Sequence, residues 1–309
     1  MLVYILGNMA DPTKSNQQEP TSNSSPPSTM PLTWVPPGHY YSPIADPSDK
    51  HVKRILDSQP TAELPKNTGI ELDEDEILEW LHRIGEHYAR LPFSAEKVDP
   101  YRYYYENPAF SYGDAAVYFG MLLQLRPKRV VEIGIGHSSC LAMDTNDYFL
   151  NGGAELTFID PYPETINRLL QESDPYRTRI IPEAVQDVDI SVFGTLEAND
   201  ILFIDSSQVL KIGSDVNHYL FNILPILAPG VVVHIHDIPY PFEYDADWIR
   251  RENRSWNEAY AIRAFLQYNS AFKIIYFNHF VYRRYTEALR VHLPTAQRNC
   301  GASLWLQRR

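Results

Sequence analysis

Four acidic residues occur inside or directly after short apolar runs of this sequence. Glu132 lies in V-V-E-I, Asp160 follows L-T-F-I, Asp205 follows I-L-F-I, and Asp237 follows V-V-V-H-I-H. Short apolar runs of this kind are typical of buried strands, where a carboxylate costs free energy unless something pairs with it. The four acids are therefore candidates for binding ligand hydroxyl groups or positive charge.

Residues 129–139, R-V-V-E-I-G-I-G-H-S-S, have the composition of a ligand-binding loop between a strand and a helix. Gly134 and Gly136 allow the backbone to turn tightly and to approach a ligand closely. Ser138 or Ser139 can cap the helix that follows. A strand, a loop and a helix N-terminus in this order form a general ligand cradle. The pattern alone does not name the ligand.

Two nucleotide cofactors compete for this loop. A dinucleotide fingerprint requires glycine or alanine three residues after the second glycine, and Ser139 occupies that position, which disfavours a nicotinamide cofactor. The E-x-G-x-G pattern instead resembles motif I of the class I S-adenosylmethionine-dependent methyltransferases. In that family the acid helps to hold the methionine end of the cofactor. The resemblance identifies Glu132, Gly134, Gly136 and Ser138 as cofactor-binding residues.

The resemblance extends from about residue 112 to residue 307 and assigns further roles. In the family, the acid that ends the second strand accepts both ribose hydroxyls, and here that acid is Asp160. An aspartate that caps a turn before Pro161 is the alternative. Gln186 and Asp187 follow the third strand, where the family contacts adenine.

Asp205 and Asp237 end the predicted fourth and fifth strands and should lie side by side. Two converging carboxylates repel each other unless a cation or a proton lies between them, and hard oxygen ligands suit Mg²⁺. This resembles the metal-dependent O-methyltransferases that act on catechols or antibiotic sugars. The resemblance implies that Asp205 and Asp237 are both metal ligands and catalytic residues.

The sequence departs from this family at Gln208, three residues after the fourth-strand acid. Related sequences commonly carry His or Lys there as a general base, and glutamine cannot accept a proton. His236 is the first substitute candidate because it adjoins Asp237, and Lys211 and His218 follow. A metal acting without a base, or a loss of activity, would also account for Gln208.

The expected activity is methyl transfer from S-adenosylmethionine to a hydroxyl of a small metabolite, with Mg²⁺ assistance. A different reaction on the same fold, resembling that of the cephalosporin hydroxylases, is the first alternative. A non-catalytic cofactor-binding scaffold is the second, and Gln208 motivates it. A dehydrogenase is disfavoured by Ser139.

The elements that position these residues alternate between strand and helix after residue 129. This alternation predicts an α/β fold, with a mostly parallel sheet covered by helices on both faces. The resemblance implies a Rossmann-like, doubly wound sheet of seven strands with an antiparallel C-terminal strand pair. A helical N-terminal extension precedes it. The expected divisions are a disordered segment over residues 1–31, the extension over 32–110 and the methyltransferase domain over 111–309.

Composition limits the partners and the setting. The chain has 309 residues, 44% of them hydrophobic, and a formal net charge of −12. This charge disfavours nucleic acid as a partner, because nucleic acid binding needs a basic surface, and it leaves a small-molecule substrate. The 2 cysteines offer no disulfide framework, so a cytoplasmic setting is the default. The N-terminal apolar run is too short to span a membrane, and the sequence allows a homo-oligomer.

Overall fold

The computed structural model describes residues 33–65, 68–162, 170, 174 and 178–309. The chain divides into two compact units, one ending at Asp46 and the other formed by Pro47–Arg309. The second unit contains the whole sheet and the helical part of the extension. The expected disorder over residues 1–31 and most of a helix expected over residues 164–170 lie outside the described residues.

The described helices and strands alternate as the sequence predicts. The helices are α1 (Lys50–Ser58), α2 (Glu74–Gly85), α3 (Tyr112–Leu125), α4 (His137–Phe149), α5 (Ser191–Gly194), α6 (Asp215–His218), α7 (Ala246–Arg250), α8 (Glu258–Leu266), α9 (Asn278–Arg284) and α10 (Thr286–His292). The strands are β1 (Arg129–Ile133), β2 (Glu155–Ile159), β3 (Thr178–Ile181), β4 (Ile201–Ile204), β5 (Val232–Ile235), β6 (Phe272–Phe277) and β7 (Leu304–Arg308).

The seven strands form one sheet in the order β3-β2-β1-β4-β5-β7-β6. Neighbours from β3 to β5 pair in parallel, whereas β7 runs antiparallel to both β5 and β6. The predicted fold class is therefore confirmed, including the antiparallel C-terminal pair and the helical extension. In the extension, Asp73 caps the N-terminus of α2, and its side chain accepts a hydrogen bond from Glu76 N at 3.0 Å.

The register of the sheet places the candidate acids at one edge. Ile133 of β1 is level with Ile159 of β2 and Ile204 of β4, and Ile204 is level with Ile235 of β5. The acids Asp160 and Asp205 directly follow two of these residues. The central strands β4 and β5 are fully buried and β1 is buried from Val130 onward, so the middle of the sheet lies in the core of the unit.

One predicted helix differs from the structure in a way that its sequence explains. The apolar pattern predicts a single helix over residues 216–227. The structure instead has α6, a π-helical turn at Tyr219–Ile223 and a 3₁₀ turn at Leu224–Ile226. Pro225 lies in the last turn and has no N–H to donate, so an α-helix cannot continue through it. Among the described residues, no helix has both the length and the apolar character needed to cross a membrane.

Candidate functional site

The loop between β1 and α4 passes close beneath the end of β4. Gly134 has a φ of +87°, and a Cβ at this position would lie 2.1 Å from the carbonyl oxygen of Asp205. Any other residue would therefore force the two loops apart. At Gly136, a Cβ would meet nothing within 4 Å. The first glycine thus allows close packing within the protein, and the second borders open space that a ligand can fill.

Glu132 lies fully buried below this loop. Its Oε1 accepts a hydrogen bond from the Ser138 hydroxyl at 2.5 Å, and its Oε2 has no partner among the described residues. Burial raises the pKa of the Glu132 carboxyl to about 8, although the hydrogen bond from Ser138 opposes this shift. The Ser139 side chain also opposes this rise in the pKa of Glu132, and its hydroxyl accepts from Gly136 N at 3.1 Å. Both serines of the motif therefore affect the electrostatics around Glu132.

Asp160 extends from the end of β2 toward the same loop. Its Oδ2 accepts from Ile135 N at 3.0 Å and its Oδ1 from Tyr162 N at 2.7 Å. A carboxylate has about four acceptor positions, so both oxygens retain capacity for ligand hydroxyls. The structure therefore combines the turn role of Asp160 with room for the ribose role.

Gln186 and Asp187 lie further from the buried part of the site. Both are exposed and belong to the 3₁₀ turn Val185–Asp187. Gln186 Nε2 donates to Gly213 O at 2.8 Å, which joins the loop after β3 to the loop after β4. Their adenine contact stays a prediction.

His236 follows β5 at the same edge of the sheet and is surrounded by carboxylates. Its Nε2 is 3.7 Å from Asp237 Oδ1. Burial alone would lower the pKa of His236, but Asp237, Asp205 and Asp114 outweigh burial and raise it to about 9. Burial in turn raises the pKa of Asp205 to about 6, while the charge of His236 opposes that shift. Without a metal ion, the three carboxylates therefore favour the protonated imidazole, which provides positive charge beside Asp205 and Asp237.

The same residues determine whether the site could hold a metal ion. Across the described residues, no group of three or more His, Cys, Asp or Glu side chains is arranged to hold a metal ion. Asp205 and Asp237 offer two partly exposed carboxylates, and Mg²⁺ often takes one or two protein carboxylates while keeping several waters. The donor set thus fits a sparsely coordinated magnesium ion, with His236 as a competing cation.

The sequence analysis missed an acid on α3. Asp114 is buried, and its Oδ1 accepts from Ser303 Oγ at 2.5 Å and from Ser303 N at 3.1 Å. Ser303 Oγ in turn lies 2.8 Å from His234 Nε2, inside the core. Asp114 also acts on the pKa of His236, so it belongs to the electrostatics of the site. The sequence feature that could have identified Asp114 is its position as a lone acid in the apolar helix sequence Y-G-D-A-A-V-Y-F.

A second missed acid, Glu258, comes from the first turn of α8. Its Oε1 accepts from Ser206 Oγ at 2.7 Å and from the Tyr219 hydroxyl at 2.6 Å, while its Oε2 is buried without a partner in the described chain. Burial raises the pKa of Glu258 to about 8. Gln208, where a base was expected, is buried beside this acid with a φ of +65°. The backbone carbonyl oxygen of Gln208 accepts from Glu258 N at 3.2 Å.

The aromatic loop after Asp237 is packed more tightly than a substrate surface would be. Tyr240, Phe242 and Tyr244 are buried, so core packing accounts for them. The Tyr240 hydroxyl donates to Glu63 Oε2 at 2.6 Å, and Gln59 Nε2 donates to Tyr244 O at 2.5 Å. The extension therefore holds this loop in place.

A model of a protein family described as a methyltransferase domain matches residues 131–238, which include every predicted site residue. An uncharacterized protein of Archaeoglobus fulgidus is 39% identical over 170 residues, which make up 54% of this chain and 75% of that protein. This chain belongs to the class I S-adenosylmethionine-dependent methyltransferases.

Solved structures resemble this methyltransferase at lower identity. A structure of CmcI with Mg and S-adenosylmethionine is 19% identical, with a TM-score of 0.38, and the match covers 72% of this chain and 84% of CmcI. An O-methyltransferase of Bacillus cereus in complex with S-adenosylhomocysteine is 13% identical, with a TM-score of 0.41, and the match covers 83% of this chain and 97% of that one. The ligands of these structures belong to the proteins named.

Proposed function

We propose that this methyltransferase transfers the methyl group of S-adenosylmethionine to a hydroxyl of a small metabolite, with Mg²⁺ at Asp205 and Asp237. The observation that carries the cofactor assignment is the buried Oε2 of Glu132, which has no partner among the described residues, while its Oε1 accepts from Ser138, two residues after Gly136. A buried acid of this kind is costly without a partner. The ammonium group of the cofactor's methionine end would be a suitable partner, and Asp160 would hold the ribose.

The half of the site that contains Asp205, His236 and Asp237 would hold the methyl acceptor. This acceptor half would provide the charges and the proton acceptor that the reaction needs. When bound, the cofactor supplies an electrophilic methyl group and Mg²⁺ lowers the pKa of the acceptor hydroxyl. Asp205 and Asp237 would hold and orient that hydroxyl, which must lose its proton as its oxygen attacks the methyl carbon and the C–S bond breaks. His236 is the candidate acceptor of this proton, but only in its neutral form, because an imidazolium cannot take another proton.

Calorimetric titration of S-adenosylhomocysteine into the purified protein tests the cofactor assignment. We expect micromolar binding that weakens at least tenfold, or about 1.4 kcal/mol, in Asp160→Ala, because the ribose loses its acceptor. Asp189→Ala is the matched control, since this exposed aspartate only caps the turn at Ser191. A nicotinamide dinucleotide should not bind. Failure of the wild-type protein to bind S-adenosylhomocysteine would overturn the proposal.

A second calorimetric titration tests the magnesium assignment separately. Mg²⁺ titrated into the protein saturated with S-adenosylhomocysteine should give a binding isotherm that is lost in Asp205→Asn and Asp237→Asn. Cofactor binding without any magnesium isotherm would remove the metal and leave His236 as the cation of the site. Product mass then distinguishes methyl transfer from hydroxylation in an acceptor screen.

A further inference from the structure

Residues 101–104 contact α4 along its length and are anchored firmly to it. The backbone N–H groups of Arg102 and Tyr103 both donate to Asp144 Oδ2 at 2.8 Å. The Arg102 guanidinium is 1% exposed and forms ion pairs with Asp144 at 2.7 Å and with Asp147 at 3.1 Å. Buried charge pairs with several hydrogen bonds hold a segment in one arrangement. The rings of this segment therefore have fixed places relative to α4.

Two tyrosines of the segment contact opposite ends of α4. Tyr104 packs edge-on against His137, the first residue of the helix, with ring centroids 5.6 Å apart. Tyr101 packs edge-on against Tyr148, near the end of the helix, at 5.2 Å. Only the Tyr104 contact lies beside the glycine loop, because His137 directly follows Gly136.

The Tyr104 side chain is half-buried, and its hydroxyl makes no hydrogen bond with any other residue that the structure describes. The hydroxyl of its neighbour Tyr103, by contrast, donates to Phe110 O at 2.7 Å. His137, which the Tyr104 ring contacts, directly follows Gly136, where a Cβ would meet nothing within 4 Å. The hydroxyl of Ser138, the next residue of α4, donates to Glu132.

We propose that Tyr104 closes the amino-acid end of the cofactor pocket and that its hydroxyl donates a hydrogen bond to the cofactor's carboxylate. The charges at this end of the pocket agree with that arrangement. Glu132 suits the ammonium group, and a helix N-terminus favours a carboxylate. The inference rests on the proposed function, since it concerns the same cofactor. It assigns a binding role to a residue outside the matched methyltransferase domain.

Two ligands and three variants test this role. S-adenosylhomocysteine carries the amino-acid end, and 5′-methylthioadenosine lacks it but keeps the adenosine. We expect Tyr104→Ala to weaken S-adenosylhomocysteine binding at least tenfold and Tyr104→Phe to weaken it severalfold, with 5′-methylthioadenosine binding unchanged in both. Tyr101→Ala is the matched control and should bind both ligands like the wild-type protein.

The outcomes separate this inference from the proposed function. Absence of S-adenosylhomocysteine binding by the wild-type protein would remove both. Wild-type binding that Tyr104→Ala leaves intact would remove only the role of Tyr104. Equal losses for the two ligands would also contradict the proposal, because they would indicate a general disturbance of the pocket. Far-ultraviolet circular dichroism of each variant verifies that the fold is retained.

Discussion

Glu132 and Glu258 are both fully buried with one unpartnered oxygen, yet their surroundings differ. Burial raises the pKa of each carboxyl to about 8. Glu132 accepts a hydrogen bond from Ser138, two residues after Gly136 in the glycine loop, whereas Glu258 accepts from Ser206 and Tyr219. We therefore expect Glu132 to respond to ligand binding and Glu258 to influence the stability of the fold.

Ligand binding should release a proton from Glu132. With a pKa of about 8, the carboxyl is mostly protonated near neutral pH, and pairing with the ammonium group of a ligand would lower that pKa. The heat of S-adenosylhomocysteine binding should therefore vary with the ionisation enthalpy of the buffer, and Glu132→Gln should remove most of this dependence. An equal buffer dependence in the two proteins would contradict the assignment.

Glu258 should make the protein less stable as the pH rises. Its ordinary pKa is 4.5 and its pKa in the fold is about 8, so the folded state binds more protons than the unfolded state between these values. The slope of unfolding free energy against pH is then negative, and the stabilisation present below about 4.5 is lost as the pH rises through about 8. Urea unfolding should show a smaller decline in Glu258→Gln than in wild type. The exposed Glu287→Gln variant should follow the wild-type decline.

At the scale of elements, the β1–α4 loop depends on contact with β4. Gly134→Ala should lower the unfolding free energy and abolish S-adenosylhomocysteine binding, because its Cβ would meet the Asp205 carbonyl oxygen. Gly152→Ala is a matched control, since Gly152 also has a positive φ but a Cβ there meets nothing within 4 Å. Both variants pay a backbone cost of about 1 kcal/mol, so thermal unfolding should show a clearly larger loss at Gly134. Similar losses would show that the contact with β4 is unimportant.

The elements that the sequence predicted well are those with a strong local pattern. The strands expected over residues 155–159 and 201–204 coincide with β2 and β4, because residues that suit burial in a strand dominate both segments. The segment expected to be a helix over residues 216–227 is helical to Ile226, but beyond α6 it changes to π-helical and 3₁₀ turns, the last of which contains Pro225. Within the site, strand-end acids were predictable from position alone. Asp114 and Glu258 were not, because their partners Ser303 and Ser206 lie 189 and 52 residues away.

At the scale of the whole molecule, the extension and the sheet support each other through Tyr240. Tyr240→Phe removes the hydroxyl that joins the loop after β5 to Glu63 and to Leu64 N. We expect a loss of about 1–3 kcal/mol in unfolding free energy and faster proteolysis within residues 57–65. Tyr268→Phe is the control, because its side chain is 86% exposed. Equal stability of the two variants would contradict the supporting role of this contact.

The position of β7 in the sheet also affects how the protein can be made. β7 lies between β5 and β6, although it is the last of the seven strands to leave the ribosome. Until residues 304–308 have been synthesised, both neighbours expose an unpaired apolar edge, which is a template for aggregation. His234 pairs with Trp305 in the finished sheet, so the strand that leads to His236 and Asp237 has only β4 as a partner until then. The part of the site around Asp205, His236 and Asp237 is therefore completed after the part around Glu132 and Asp160.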